Sequence, residues 1–158
     1  MYIMDAIDHR ILAALQEDSA LSTADLADRV GLSPTPCWRR VRQLETAGYI
    51  RKRVALLDRD LLGVGTTVFV SIRTKTHAAD WLTKFAKVVQ SMPEVIEFHR
   101  MSGDIDYLMK VVVPDIPAYD AFYKRLISAI DLSDVSSSFA MEEIKATTTL
   151  PLTYLKQA

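Results

Sequence analysis

Up to Gly63 the apolar residues recur at helical spacing. Ile7, Ile11, Leu12 and Leu15 share one face, and Leu26, Ala27 and Val30 share another. Beyond Gly65 the period changes. Val68, Val70 and Ile72 alternate with Thr67, Phe69, Ser71 and Arg73, as in a strand with one strongly apolar face. Trp81, Leu82, Phe85, Val88, Val89 and Met92 then return to the spacing of a single helix face. Alternation resumes over Val95–Met101, breaks at Ser102-Gly103-Asp104, and runs again from Tyr107 to Val113, which predicts a hairpin. Pro117 opens a second helix bearing Tyr119, Phe122, Tyr123, Leu126, Ile127 and Ile130, and Val135–Glu142 is a last strand candidate.

The order strand, helix, strand, strand, helix, strand is that of a split βαβ, or ferredoxin-like, unit: four antiparallel strands with two helices on one face. Its other face, bare and carrying Val, Ile and Phe, calls for a partner. All five glycines, Gly31, Gly48, Gly63, Gly65 and Gly103, fall between periodic segments and punctuate the chain. The expected class is therefore α+β. A helical domain spans residues 1–52, a linker 53–63, and a ferredoxin-like βαββαβ domain 64–158.

Within the helical domain, Leu21-Ser22-Thr23-Ala24-Asp25-Leu26 is a dense helix start: Ser22 caps, Asp25 returns the bond from N3, and Leu21 staples onto Leu26. Val30-Gly31-Leu32-Ser33-Pro34 then supplies a glycine stop, an apolar plug, a serine cap and a proline at the first helical position. Two helices joined by so short a turn make a helix-turn-helix. In the second, Cys37, Val41 and Leu44 face inward, leaving Ser33, Thr35, Trp38, Arg39 and Arg42 at the amino end or on outward faces, where bases and phosphates would be met. Pro36 disfavours helical geometry at Thr35, so a tightened or irregular first turn is expected. Tyr49–Leu56 reads either as a short strand or wing bringing Arg51 and Arg53 to a DNA backbone, or as an ordinary linker strand.

The net charge of −1 over 158 residues first argues against a nucleic-acid partner. Its distribution reverses that. From Pro36 to Arg53 stand Arg39, Arg40, Arg42, Arg51, Lys52 and Arg53 against Glu45 alone, a local 6 − 1 = +5. With 49% hydrophobic and 25% charged residues the composition is that of a folded globular protein. No apolar run approaches the roughly 18 residues of a membrane span. Asp5 and Asp8 interrupt the place of a signal-peptide core, and a lone Cys37 cannot bridge within the chain, so a cytoplasmic location is expected.

Leu32-Ser33-Pro34-Thr35-Pro36-Cys37-Trp38-Arg39-Arg40-Val41, Leu44-Glu45 and Ala47-Gly48-Tyr49-Ile50 resemble the Lrp/AsnC, or feast/famine, transcription regulators. So do Gly103-Asp104-Ile105-Asp106-Tyr107-Leu108 and Ser137-Ser138-Phe139-Ala140-Met141-Glu142-Glu143-Ile144-Lys145. The resemblance implies a winged helix-turn-helix on double-stranded DNA, a ferredoxin-like domain pairing sheet to sheet, and homo-oligomers: dimers, then tetramers or octamers. It also implies modulation by a small amino acid. Thr35-Pro36-Cys37-Trp38, Val54-Ala55-Leu56-Leu57-Asp58 and Tyr107-Leu108-Met109 are most like a cysteine-responsive branch.

A free amino acid needs acceptors for its ammonium and donors for its carboxylate. By the resemblance, Gly103, Asp104, Asp106 and Tyr107 line the effector cleft with Ser137 and Ser138; Asp106 would take the ammonium, and the serine hydroxyls and Gly103 amides the carboxylate. From the residues alone Ser-Gly-Asp is equally a plain turn and Tyr107 a plain strand residue. His9, His77 and His99 lack metal-ligand spacing with Cys37, and Asp131, Asp134, Glu142 and Glu143 accompany no nucleophile motif or phosphate loop. No metal, cofactor or catalytic set is expected, and the protein reads as a regulator rather than an enzyme. The competing reading is an enzyme on the same scaffold, since Lrp-like folds also resemble sirohaem decarboxylase subunits.

Overall fold

Asp5 starts the chain's first helix with a reciprocal cap. Its carboxylate accepts from the N–H groups of Ile7 and Asp8 at 2.9 and 3.0 Å, while Asp8 Oδ2 accepts from Asp5 N at 3.1 Å. In the computed structural model, which describes residues 4–75 and 78–155, that helix is α1 (Ala6–Glu17), followed by α2 (Thr23–Val30) and α3 (Pro34–Thr46). Ile11, Leu12, Leu26, Val30, Cys37, Val41 and Leu44 close into one buried cluster among the three helices, the inward sets that the periodicity predicts. At α2 the Ser22 hydroxyl accepts from Asp25 N at 3.1 Å as expected. The reciprocal bond is different: Asp25 Oδ2 accepts from the Ser22 hydroxyl at 2.5 Å instead of from the Ser22 backbone N–H.

The chain divides into two compact units, one reaching to Leu56 and resuming at Lys145, the other Leu57–Ile144. The expected boundaries shift accordingly. Arg53–Leu56 stays with the helices, and the closing segment, expected in a 64–158 domain, returns to them. Gln16 holds it from both sides, donating to Leu150 O at 3.2 Å and accepting from Leu150 N at 2.7 Å, while His9 Nε2 meets Leu152 O at 3.1 Å. Leu152 and Leu155 then pack on the helical core. His77 lies outside the described residues.

The second unit runs β1 (Thr66–Arg73), α4 (Ala79–Gln90), β2 (Val95–Arg100), β3 (Tyr107–Val113), α5 (Ile116–Ala129) and β4 (Asp134–Phe139). The strands are antiparallel in the order β2-β3-β1-β4, the ferredoxin-like sheet. Val68, Val70, Ile72, Tyr107, Met109, Val111 and Val113 form the face packed against Phe85, Val89, Phe122 and Leu126 of the helices. The valines and isoleucine of β1 are thus covered. The face opposite the helices carries Phe69, Leu108 and Val112 instead, with Lys110 3.5 Å from Glu97, which also meets His99 at 3.2 Å. His99 and then Lys110 hold the Glu97 carboxyl below its ordinary value.

Candidate nucleic-acid interface and effector turn

The angle of α3 is set by the turn before it. Gly31 ends α2 in the left-handed region at φ 74°, open to glycine without strain, and Leu32 N donates to Ala27 O at 2.8 Å. Ser33 occupies the N-cap position of α3 but its hydroxyl makes no cap bond. Pro36 removes one of the two amides that could supply it. A capping oxygen accepts from the N2 or N3 amide, and here N3 is a proline with no N–H. The helix nonetheless runs regularly from Pro34, so the irregular first turn expected at Thr35 is absent. Two uncapped hydroxyl residues, Ser33 and Thr35, therefore stand exposed at a helix amino end, the electropositive pole.

The rest of α3 divides sharply. Cys37 and Leu44 are fully buried and Val41 nearly so, while Trp38 is 53% exposed. Arg42 lies over the Trp38 ring, 5.6 Å from its centroid. Burial raises the Cys37 thiol pKa, which keeps it a packing residue. The basic stretch is less uniform than its count implies. Arg40 turns inward, its Nη1 2.8 Å from Asp5 Oδ2 and 2.9 Å from Asp8 Oδ1. Glu45 holds Arg42 at 3.1 Å and Arg53 at 3.4 Å. Arg39, Arg51 and Lys52 are exposed and form no ion pair among the described residues. Two shallow depressions flank Arg42, one lined by Arg39, Gln43 and Thr46, the other by Trp38, Glu45 and Arg53. After α3, Tyr49 N and Ile50 N both reach Leu44 O, at 3.0 and 3.4 Å, and the chain leaves without pairing into a strand. Among the described residues, Tyr49–Leu56 forms neither the wing strand nor the linker strand.

The turn between β2 and β3 brings Gly103, Asp104 and Asp106 together. Gly103 has φ 113°, a conformation suited to glycine. Arg73 Nε donates to Asp104 O at 2.6 Å, Asp106 N to Ile72 O at 2.9 Å, and Thr74 N to Asp106 Oδ2 at 2.8 Å. Asp106 thus pins the end of β1. Tyr107, expected to line the cleft, is 3% exposed and packs with Trp81, Phe85 and Phe98 under α4. The two serines separate as well. Ser137 pairs with Val70 on the helix side, where its hydroxyl meets Tyr119 OH, whereas Ser138 pairs with Phe69 on the uncovered side. Tyr107 pairs with Ile72 from one side of β1 and the serines pair with β1 from the other, so they lie about 7–10 Å along β1 and a further roughly 10 Å across the sheet from Tyr107. Arg73 and Thr74, which fasten the turn, are members that no motif announces.

Two family models match the chain: winged helix-turn-helix DNA-binding over residues 4–51, and the Lrp/AsnC ligand binding domain over residues 67–150. The DNA-binding transcriptional activator DecR of Escherichia coli K12 is 51% identical over 151 residues, covering 95% of this chain and 99% of the relative. Among solved structures, an AsnC family transcriptional regulator from Agrobacterium tumefaciens superposes with TM-score 0.94 and 61% identity, covering 97% of this chain and all of the other. A transcriptional regulator from Neisseria meningitidis in complex with L-Met matches with TM-score 0.91 and 38% identity, over 95% of this chain and 97% of that one. These relatives are named as transcription regulators, not enzymes, and nothing among them supports a sirohaem decarboxylase.

Proposed function

The chain belongs to the Lrp/AsnC family of DNA-binding transcription regulators, and on that premise we propose that it reads double-stranded DNA with the exposed face of α3 and answers to a small amino acid at the Gly103 turn. The observation that carries the reading is the division of α3. Cys37, Val41 and Leu44 anchor it, while Ser33, Thr35, Trp38, Arg39 and Arg42 present two hydroxyls, an indole and two guanidiniums outward. Guanidinium forks onto guanine or grips phosphate, and hydroxyls at a helix amino end suit phosphate. Arg51 and Arg53 follow in an exposed segment and supply backbone contacts.

For the effector, Asp106 Oδ1 meets the ammonium while Oδ2 stays on Thr74 N, and Asp104 and the Gly103 amides complete the turn's part. Ser138 adds a hydroxyl from the uncovered sheet face. Ser137 and Tyr107, turned to the helix side, shape the site from beneath. Cysteine is the first candidate, from the likeness to the cysteine-responsive branch, and methionine the second, from the L-Met complex of the N. meningitidis regulator. The uncovered face with Phe69, Leu108 and Val112 accepts a second copy, giving dimers and, from them, tetramers or octamers. No helix among the described residues is long and apolar enough to cross a membrane, and a reader of the cell's own DNA works in the cytoplasm.

The test is a mobility shift on DNA upstream of the chain's own coding region, across salt concentrations, with and without cysteine and methionine. A specific, salt-sensitive complex whose affinity or stoichiometry changes with one of them is expected. No specific complex under any condition would sink the reading.

A further inference from the structure

Glu45 is the one acid between Pro36 and Arg53, and it occupies both arginines that flank it on the exposed side of the head. Its Oε2 accepts from Arg42 Nη1 at 3.1 Å and its Oε1 from Arg53 Nη2 at 3.4 Å, with the carboxylate itself only 28% exposed. Arg42 also lies over the Trp38 ring, 5.6 Å from its centroid. From this geometry we infer that Glu45 is a specificity-determining residue: it sets how strongly the head binds DNA of the wrong sequence.

The inference rests on the DNA-binding reading above and follows from what each kind of contact needs. Non-specific affinity comes from neutralising phosphates, and each guanidinium committed to a phosphate adds to it on any sequence. The trio Arg42, Arg53 and Glu45 offers a phosphate one net positive charge instead of two, and the carboxylate repels an approaching phosphate. A bidentate contact to a base edge depends instead on where the guanidinium fork is aimed. The Trp38 ring and the Glu45 carboxylate fix that aim for Arg42 before DNA arrives. Glu45 therefore weakens the sequence-blind term more than the sequence-reading one, and discrimination is the difference between them. A carboxylate kept for packing alone would leave that ratio untouched.

The experiment compares the full-length parent with Glu45→Gln and Glu45→Asp by fluorescence anisotropy. It uses the chain's own upstream duplex and a scrambled duplex of equal composition, over a salt series, with thermal melts to verify folding. Glu45→Gln, which keeps shape and loses charge, is expected to bind the scrambled duplex about fivefold more tightly, with a salt slope steeper by about one, and to gain less on the upstream duplex. Glu45→Asp, which keeps the charge, is expected to hold the parental ratio within about twofold. If Glu45→Gln leaves the ratio unchanged, or if both variants shift it alike, the inference is overturned. If Glu45→Gln unfolds, Glu45→Ala, which also removes the carboxylate and both ion pairs, takes its place, and an unchanged ratio there overturns the inference. A parent that binds both duplexes equally would instead defeat the DNA-binding reading itself.

Discussion

Arg40 Nη1 lies 2.9 Å from the Asp8 carboxylate, a group 1% exposed, and so ties α3 to α1 across 32 positions of sequence. The guanidinium is 27% exposed and also meets Asp5 at 2.8 Å. This makes Arg40 a bracing residue within a basic stretch whose other members face outward. Truncating one partner of such a pair removes part of what compensates a buried charge. Arg40→Ala is accordingly expected to lower unfolding stability by about 2–3 kcal/mol. Arg39→Ala, on an exposed side chain, is expected to change stability by less than about 0.5 kcal/mol while weakening specific DNA binding about tenfold. Urea melts and anisotropy titrations on the two variants check this. Equal stabilities would remove the bracing role.

The same network makes the head sensitive to acid. Asp5 sits below its ordinary value of 3.8, held there first by the Asp8 N–H, then by the Arg40 guanidinium and the Ile7 N–H, which together outweigh its burial. A carboxyl whose folded pKa is depressed stabilises the fold fully above its unfolded value, and that stabilisation is lost as pH falls through the folded one. Asp5→Asn keeps an N-capping oxygen and removes the titration. Its urea midpoint is expected to fall less than the parent's between about pH 5 and pH 2. Parallel pH profiles for the two proteins would contradict the assignment.

At the Gly103 turn, proposed above as the effector site, the hydrogen bonding decides which substitution is informative. Asp106→Ala removes both the proposed ammonium partner and the bond from Thr74 N, so a lost response would be ambiguous. Asp106→Asn keeps an acceptor for Thr74 and loses only the charge. It is expected to fold and bind DNA like the parent and to lose at least about tenfold in effector affinity by calorimetry, the scale of a charge-assisted contact. An Asp106→Asn variant that titrates with amino acid as the parent does would move the site elsewhere.

What could be read ahead follows period and parity. The faces of α3 and the order of the sheet are set by residues three, four or two positions apart, and both stand where the spacing puts them. Tyr107 was legible too: it shares parity with Met109, Val111 and Val113, so the alternation that defines the strand already turns it inward. Ser137 and Ser138, adjacent in a strand, must face opposite ways for the same reason. The Asp8–Arg40 tie was not legible, because nothing in local spacing selects a partner 32 residues away. The uncapped Ser33 needed the N3 position of Pro36 to be counted, not the serine alone.

The return of the closing segment to the helices has no periodic signature either, and it carries its own test. Leu152 and Leu155 pack on the helical core while Leu150 is 69% exposed and holds Gln16 through its backbone. The helical head is therefore completed by residues that follow the whole ferredoxin-like unit in sequence. The chain carries two tryptophans, so in a Trp81→Phe background Trp38 alone reports on the head. There Leu152→Ala is expected to lower the head's unfolding stability by about 1 kcal/mol, as for a partly buried leucine. Leu150→Ala, whose side chain is exposed and whose main-chain bonds survive, is expected to leave it unchanged. If both variants melt with the parent, the segment lies against the head without stabilising it. If Leu152→Ala alone shifts the transition, the closing segment is part of what stabilises the helical unit.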